Sequence, residues 1–518
     1  MLTTTLHSIV FSIYPILFLY SFNIDRMYFS DALIPMLISL MIAILLLYSL
    51  NKIFKNPGKS SLITTAFLIF FFDFSAFKSI LGQIFKESAV NGFFPVVIWL
   101  LFFFFTLSFI LCKKFDYSPF ISFLNLVCIV LIILNILLIL DYQLFSSKSS
   151  LNHPKSKVFT ESRENGNFPD IYYILVDGYA GNQVLKQLYS FDNKEFLGYL
   201  REKGFYIADD SFANYMQTAL SLSCSLNFRY LDFLKEKFQD QNTAEPVMEL
   251  IGKSTVVETL KSRGYKIVAF ASGYATTELD SADLYFGKTL INREFYHILL
   301  NTTILSGIKF DLFDFIATQV KAHSQLINSI IEGLSKLEFS QNSEPAFVFA
   351  HLIMPHPPFI FEKDGKLKFQ QPRGFHFGDG NHWGDPVDYR KQYIEQLQHL
   401  NNLLKKALSG ILNNPRRKII ILQSDHGPGS MLNWENSKNS FLPERFSILN
   451  AFYFPDHDYS GLYKSISPVN SFRLVFNKIF QAGIELEEDK NFFSPWSFRY
   501  RFEYVTEFLK TQKKQLAD

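Results

Sequence analysis

The chain has 518 residues, enough for two or three domains, and its formal net charge of only +2 excludes the general basic field expected of a nucleic-acid binder. It shows neither a zinc-finger spacing nor a basic run with interleaved aromatics, so no nucleic-acid partner is expected. Cys112 and Cys128 lie in hydrophobic segments and Cys224 stands alone in the rest, which excludes an oxidised domain stapled by disulfides.

The 58 phenylalanines and a mean hydropathy of +0.10 average over two unlike halves. Residues 1–141 have the apolar density of a membrane protein, and they contain five apolar stretches: Leu2 to Ile24, Ala32 to Asn51, Ser60 to about Gly82, Ser88 to Cys112, and Tyr117 to Leu140. Each reaches the roughly 20 residues a helix needs to cross the hydrocarbon core. The third is interrupted by Asp73 and Lys78; Lys78 is near an end and can snorkel, and Asp73 is expected to face neighbouring helices or a watery cavity. No Lys or Arg precedes the first stretch and no small-residue cleavage site follows it, so it reads as a retained helix rather than a signal peptide.

Lys52, Lys55 and Lys59 sit in one connection and Lys113 with Lys114 in another, whereas the alternating connections carry only Arg26 and Lys86, each beside an acid. The positive-inside rule therefore places the first two loops and the amino terminus in the cytoplasm, and everything after Asp141 outside. The expected location is a bacterial cytoplasmic membrane, crossed several times, with the remainder periplasmic or extracellular. A polar linker of low periodicity, 142–169, follows.

From Asp170 to the end at 518, apolar runs alternate with amphipathic ones. IYYILVDG is a buried strand closing on Asp177 and Gly178, and a helical pattern runs from about Gln183 to Lys203. STVVETLKSRGYKIVAFASG is a helix ending at Gly264 and then a strand; FVFAHLIMP, a long amphipathic helix from Tyr389, and KIIILQSD continue the alternation. The pattern predicts an α/β fold, a mainly parallel sheet with helices on both faces, preceded by an all-α five-helix membrane domain. In such sheets chemistry gathers beyond the carboxyl ends of the strands, so Asp177 is expected near Asp425 and His426 although about 250 residues separate them.

In NYMQTALSLSCSLN, Thr218 precedes a helical run of small and hydroxyl residues, which puts its hydroxyl at a helix amino terminus where an alkoxide or anion is favoured. Asp177, Thr218, Asp425 and His426 offer oxygen and nitrogen ligands suited to zinc or manganese, in a site where the nucleophile is itself a ligand.

These pieces in this order resemble the alkaline phosphatase superfamily, particularly its sulfatase-like branch, over nearly all of 170–481. VDGY, NYMQTALSLSCSLN, HLIMPHPPF, SDHG and SPVNSFRLVFN carry the resemblance. With five membrane helices in front, the chain is also similar to lipoteichoic acid synthases and phosphoethanolamine transferases. The resemblance implies a metal-activated Thr218, a covalent ester on it, and a second attack by an alcohol or by water. It also implies substrate-handling histidines, for which His356, His351 and His382 are the candidates. One divalent ion is expected, manganese or zinc with magnesium as an alternative, and a second is left open. The partners implied are a phospholipid donor and an envelope glycan or lipid acceptor.

Cys224 begins CSLNFR, not the C-x-P-x-R from which arylsulfatases make formylglycine, so it reads as a small helix residue. The compared transferases carry Glu at the end of the first strand where this chain has Asp177. A hydrolase of phosphate or sulfate esters using the same residues is the alternative function, and a non-catalytic binding or scaffold membrane protein is the third.

Overall fold

The computed structural model describes residues 2–24, 27, 29–85, 93–112, 116–146, 168–279, 281–287, 293–307, 315–341, 343–371 and 375–517. Most of the expected linker, 147–167, lies outside these residues. The chain forms two compact units: Met1–Leu151 together with Leu290–Asp314, and Asn152–Thr289 together with Phe315–Asp518. The sequence reading had left 290–314 inside the second domain. REFYHILLNT has the amphipathic pattern of any surface helix, and a pattern does not say what its apolar face covers.

In the first unit, among the described residues, four helices are long and apolar enough to cross a membrane: Thr4–Phe22, Phe29–Phe54, Phe94–Leu111 and Ser118–Leu144. The third stretch is not a straight span. Pro57–Phe72 and Phe74–Ile84 are separate helices meeting at 58°, so the bundle has four spans, or five if the bent pair counts as one. The break falls on Asp73, whose N–H closes the first limb on Ile69 O while its side chain makes no cap for the second. Beyond it the run becomes amphipathic: Phe74 and Leu81 are buried, Ile80 and Ile84 exposed. Polar pairs link the helices where apolar packing alone drives no association. The Ser21 hydroxyl donates to Asn135 Oδ1 (2.6 Å), the His7 N–H to Asn125 Oδ1 (2.8 Å), and the Trp99 indole to Phe70 O (2.7 Å). Lys59 Nζ reaches Leu111 O (3.4 Å), so Lys59 and Leu111 lie at one end of the bundle.

The second unit is built on a seven-stranded sheet: β1 (Asp170–Val176), β2 (Tyr206–Ile207), β3 (Lys266–Phe270), β4 (Leu284–Phe286), β5 (Ala346–Leu352), β6 (Lys418–Ser424) and β7 (Asn450–Tyr453), in the order β2-β7-β6-β1-β5-β3-β4. All pairings are parallel except those of β7. β1, β5 and β6 are buried along their whole length, which is why their sequences are continuous apolar runs rather than alternating ones. The helix expected over 183–203 is two, Asn182–Leu188 and Lys194–Glu202, because Ser190 turns left-handed (φ 52°) between them.

β1 lies between β5 and β6, and the strand after it in sequence is at neither side, so a crevice opens at its carboxyl end. The register sets Val176 beside Ser424 and Leu175 beside His351. Asp177 and Asp425 are therefore the next residues of two hydrogen-bonded neighbours, as the sequence reading expected.

Candidate metal centre and nucleophile

Asp177, Asp425 and His426 converge so that one ligand atom from each lies within 4.8 Å of the others, all three buried. His426 Nε2 stands 3.2 Å from Asp425 Oδ2 and 3.6 Å from Asp177 Oδ1. The backbone around them is tightly tied. The Gly178 N–H donates to Asp425 Oδ1 (3.1 Å), the Tyr179 N–H to Ser424 Oγ (2.8 Å), and the Ser221 hydroxyl to Asp425 O (2.7 Å).

The two glycines after His426 have steric reasons. A Cβ on Gly427 would stand 2.0 Å from Glu444 O, and one on Gly429 would stand 2.8 Å from Asp379 Oδ2. This loop can pass between those groups only without side chains.

Thr218 is the first residue of the helix Thr218–Asn227, with Gln217 as its extended cap. Its hydroxyl lies 3.2 Å from His426 Nε2, and it is half-buried among fully buried neighbours, the accessible member of the group. The approach segment is held by Asn214, whose amide donates to Ser467 Oγ (2.9 Å) and Lys490 O (3.0 Å) and accepts from the Val469 N–H (2.8 Å). That hub explains why NYMQT and SPVNSF occur as a set.

The donors suit a divalent cation. Asp177 Oδ1 and Asp425 Oδ2 are buried with no hydrogen-bond partner among the described residues, which is costly for carboxylates unless a cation compensates. His426 Nδ1 faces Gly427 O (2.9 Å), which can only accept, so the proton sits on Nδ1 and Nε2 presents its lone pair to the group. Burial, and next the Arg445 guanidinium, push the His426 pKa down and keep the imidazole neutral. Burial pushes the Asp177 carboxyl up, but the adjoining His356, His351 and His426 outweigh it and hold it below the ordinary carboxylate range.

Two residues that sequence reasoning missed complete the surroundings. Arg445 is fully buried; its Nη1 pairs with Asp379 Oδ2 (2.7 Å), its Nη2 reaches His426 Nε2 (3.2 Å), and its Nε donates to Met216 O (2.9 Å). It thus ties the segment leading to Thr218, the His426 loop and the Asp379 loop. Burial raises the Asp379 carboxyl, and Arg445 with His356 and His426 more than reverses this. Asp379 had a signal, since it stands in the same GDGNHW that supplied His382; Arg445, in LPERF, had none.

The three histidine candidates separate. His356 points Nε2 to within 3.6 Å of Asp379 Oδ2, and its ring centre is 6.0 Å from that of His426. His351 is fully buried on β5, bridging Thr277 Oγ1 (2.9 Å) and Asp177 Oδ2 (3.4 Å). It has no exposed surface, and its Nε2 faces the Asp177 carboxylate. His382 is exposed and stacked on Trp434, with its N–H on Asp379 O (3.1 Å). The turn begun at Gly380 (φ 61°) sends Asp379 inward and His382 outward, so the loop's contribution to the site is the acid. Cys224 is fully buried within the helix and burial pushes its thiol up, as its reading as a packing residue requires.

Residues 169–464 match the family described as Sulfatase. No curated protein matches the chain. Similar solved structures include the integral membrane lipooligosaccharide phosphoethanolamine transferase A of Neisseria meningitidis, at 11% identity over 91% of this chain and 95% of that one, TM-score 0.37. A second is the periplasmic domain of EptC from Escherichia coli in complex with Zn, at 12% identity over 66% and 94%, TM-score 0.39. A third is the phosphonate monoester hydrolase of Agrobacterium radiobacter, at 13% identity over 63% and 80%, TM-score 0.40.

Proposed function

Since the chain belongs to the sulfatase family, whose members transfer or hydrolyse phosphate and sulfate esters, we propose that it is a membrane-anchored, metal-dependent phosphotransferase. It moves a phospho-headgroup from a lipid to an extracytoplasmic glycan or lipid acceptor through an ester on Thr218. The observation that carries this reading is the half-buried Thr218 hydroxyl meeting His426 beside two carboxylate oxygens that have no hydrogen-bond partner among the described residues. Several membrane spans in the same chain support a lipid donor, since a tethered hydrolase needs only one.

Asp177, Asp425, His426 and Thr218 would hold one divalent ion, and two carboxylates with an imidazole suit manganese or zinc. Bound there, it would lower the pKa of the Thr218 hydroxyl and offset charge on the phosphoryl oxygens. Thr218 Oγ, its proton given up to solvent water, attacks phosphorus as the alkoxide, and the bond from phosphorus to the glyceride oxygen breaks. His356 is suited to protonate that leaving oxygen, releasing diacylglycerol. An acceptor hydroxyl then attacks the same phosphorus and gives its proton to His356, and the bond from phosphorus to Thr218 Oγ breaks, freeing Thr218 as the alkoxide for another donor.

Incubation with headgroup-labelled phospholipid tests the reading: diacylglycerol should form, with label passing to an added acceptor. Release that runs equally fast into water alone favours the hydrolase, and no release at all contradicts both.

A further inference from the structure

The segment 290–314 is encoded between β4 and the helix Phe315–Lys336 of the second unit, yet it belongs to the first. Its described part is the helix Arg293–Thr302 and a single turn, Ile304–Gly307. Phe295 and Leu299, one turn apart on the same face, are 0% and 8% exposed. They share a cluster with Tyr20, Met27, Ala32, Met36 and Phe72, all from the membrane half. The helix packs on Leu2–Phe22, Phe29–Phe54 and Phe74–Ile84, and the turn on Pro57–Phe72, Phe74–Ile84 and Phe94–Cys112. Hydroxyls of Thr302 and Thr303 close the helix on Leu299 O (2.7 Å) and Leu300 O (2.8 Å).

The end of the bundle it meets is informative. Tyr20 is in the last turn of the first helix, Met27 precedes the second and Ala32 is in its first turn, and Phe72 ends the first limb of the bent pair. The lysine-bearing connection at 52–59 is at the opposite ends of the second helix and of that limb. A segment of the soluble half therefore meets the bundle at the end that lysine counting places outside the cytoplasm, two signals that share no residues.

We propose that 293–307 is a second membrane attachment of the catalytic domain, an amphipathic clasp whose partner is the outer end of the chain's own helix bundle. It holds the domain at the membrane independently of the linker. Removed from the bundle, Phe295 and Leu299 would face water as an adjoining apolar pair, so the clasp is built to stay covered. This inference is independent of the reaction catalysed.

The test uses the full chain in its membrane with a site-specific protease sequence placed in 147–167. After cleavage and a high-salt wash, the carboxyl-terminal fragment should sediment with the membranes. The doubly substituted Phe295→Asp, Leu299→Asp protein, cut in the same way, should release it to the supernatant. Leu486→Asp, at an exposed position outside the clasp, should behave as the unsubstituted chain. Release of the unsubstituted fragment by the cut alone overturns the proposal, and so does retention of a monodisperse, folded double variant. Should that variant aggregate, amide exchange decides: protection across 295–305 in the unsubstituted chain must survive the cut, and its loss overturns the clasp.

Discussion

At the scale of single residues, the centre depends on buried charges that are individually costly and jointly balanced. Replacing Arg445 by Leu leaves Asp379 buried without its cation, and the loss is expected to reach about 3–5 kcal/mol, read from chemical denaturation of the purified chain. Arg445→Lys should recover only part of it, because an ammonium cannot reach Asp379, His426 and Met216 O together. Gly427→Ala puts a methyl where Glu444 O stands, so the His426 loop must shift; bound metal should fall well below one equivalent while the soluble fold persists. Cys224 gives a cleaner check on burial. Its raised pKa and lack of exposure should leave it unreactive toward thiol reagents at neutral pH until the domain unfolds, whereas a thiol that reacts in the folded chain would contradict the packing.

Among the elements, legibility followed burial. β1, β5 and β6 were readable because strands covered on both faces are unbroken apolar runs, and their parallel register carried Asp177 to Asp425. Thr218 was readable because a hydroxyl-rich helix start has a chemical meaning of its own. Arg445 and the inward turn of Asp379 were not, since both depend on contacts between loops far apart in sequence. The split of 183–203 rests on one left-handed residue, Ser190, which the hydrophobic period does not show; the bend at 58° falls on Asp73, which the sequence marks as an interruption without saying that the helix breaks there. Asn214 shows how two distant motifs become one structure. Its side chain is fully buried and makes four hydrogen bonds, so Asn214→Ala should destabilise the domain by about 2–4 kcal/mol and loosen Thr218, lowering turnover more than the midpoint of denaturation alone implies.

For the whole molecule, the proposed reaction joins a helical membrane half to a sulfatase-family domain and would make its chemistry depend on a bound cation. Chelation should lower the melting temperature of the purified chain, and manganese or zinc should restore it; an excess of about 100 times the dissociation constant corresponds to about 2.7 kcal/mol. A chain whose melting is indifferent to chelator and to metal would remove the cation from the scheme. The central claim is that Thr218 carries the transferred group, and intact-mass measurement of the full chain after exposure to phospholipid tests it most directly. A single added phospho-headgroup, mapped to Thr218 and absent from Thr218→Ala, is the result expected. An adduct on another residue, or turnover of the lipid by Thr218→Ala at the rate of the unsubstituted chain, would contradict it.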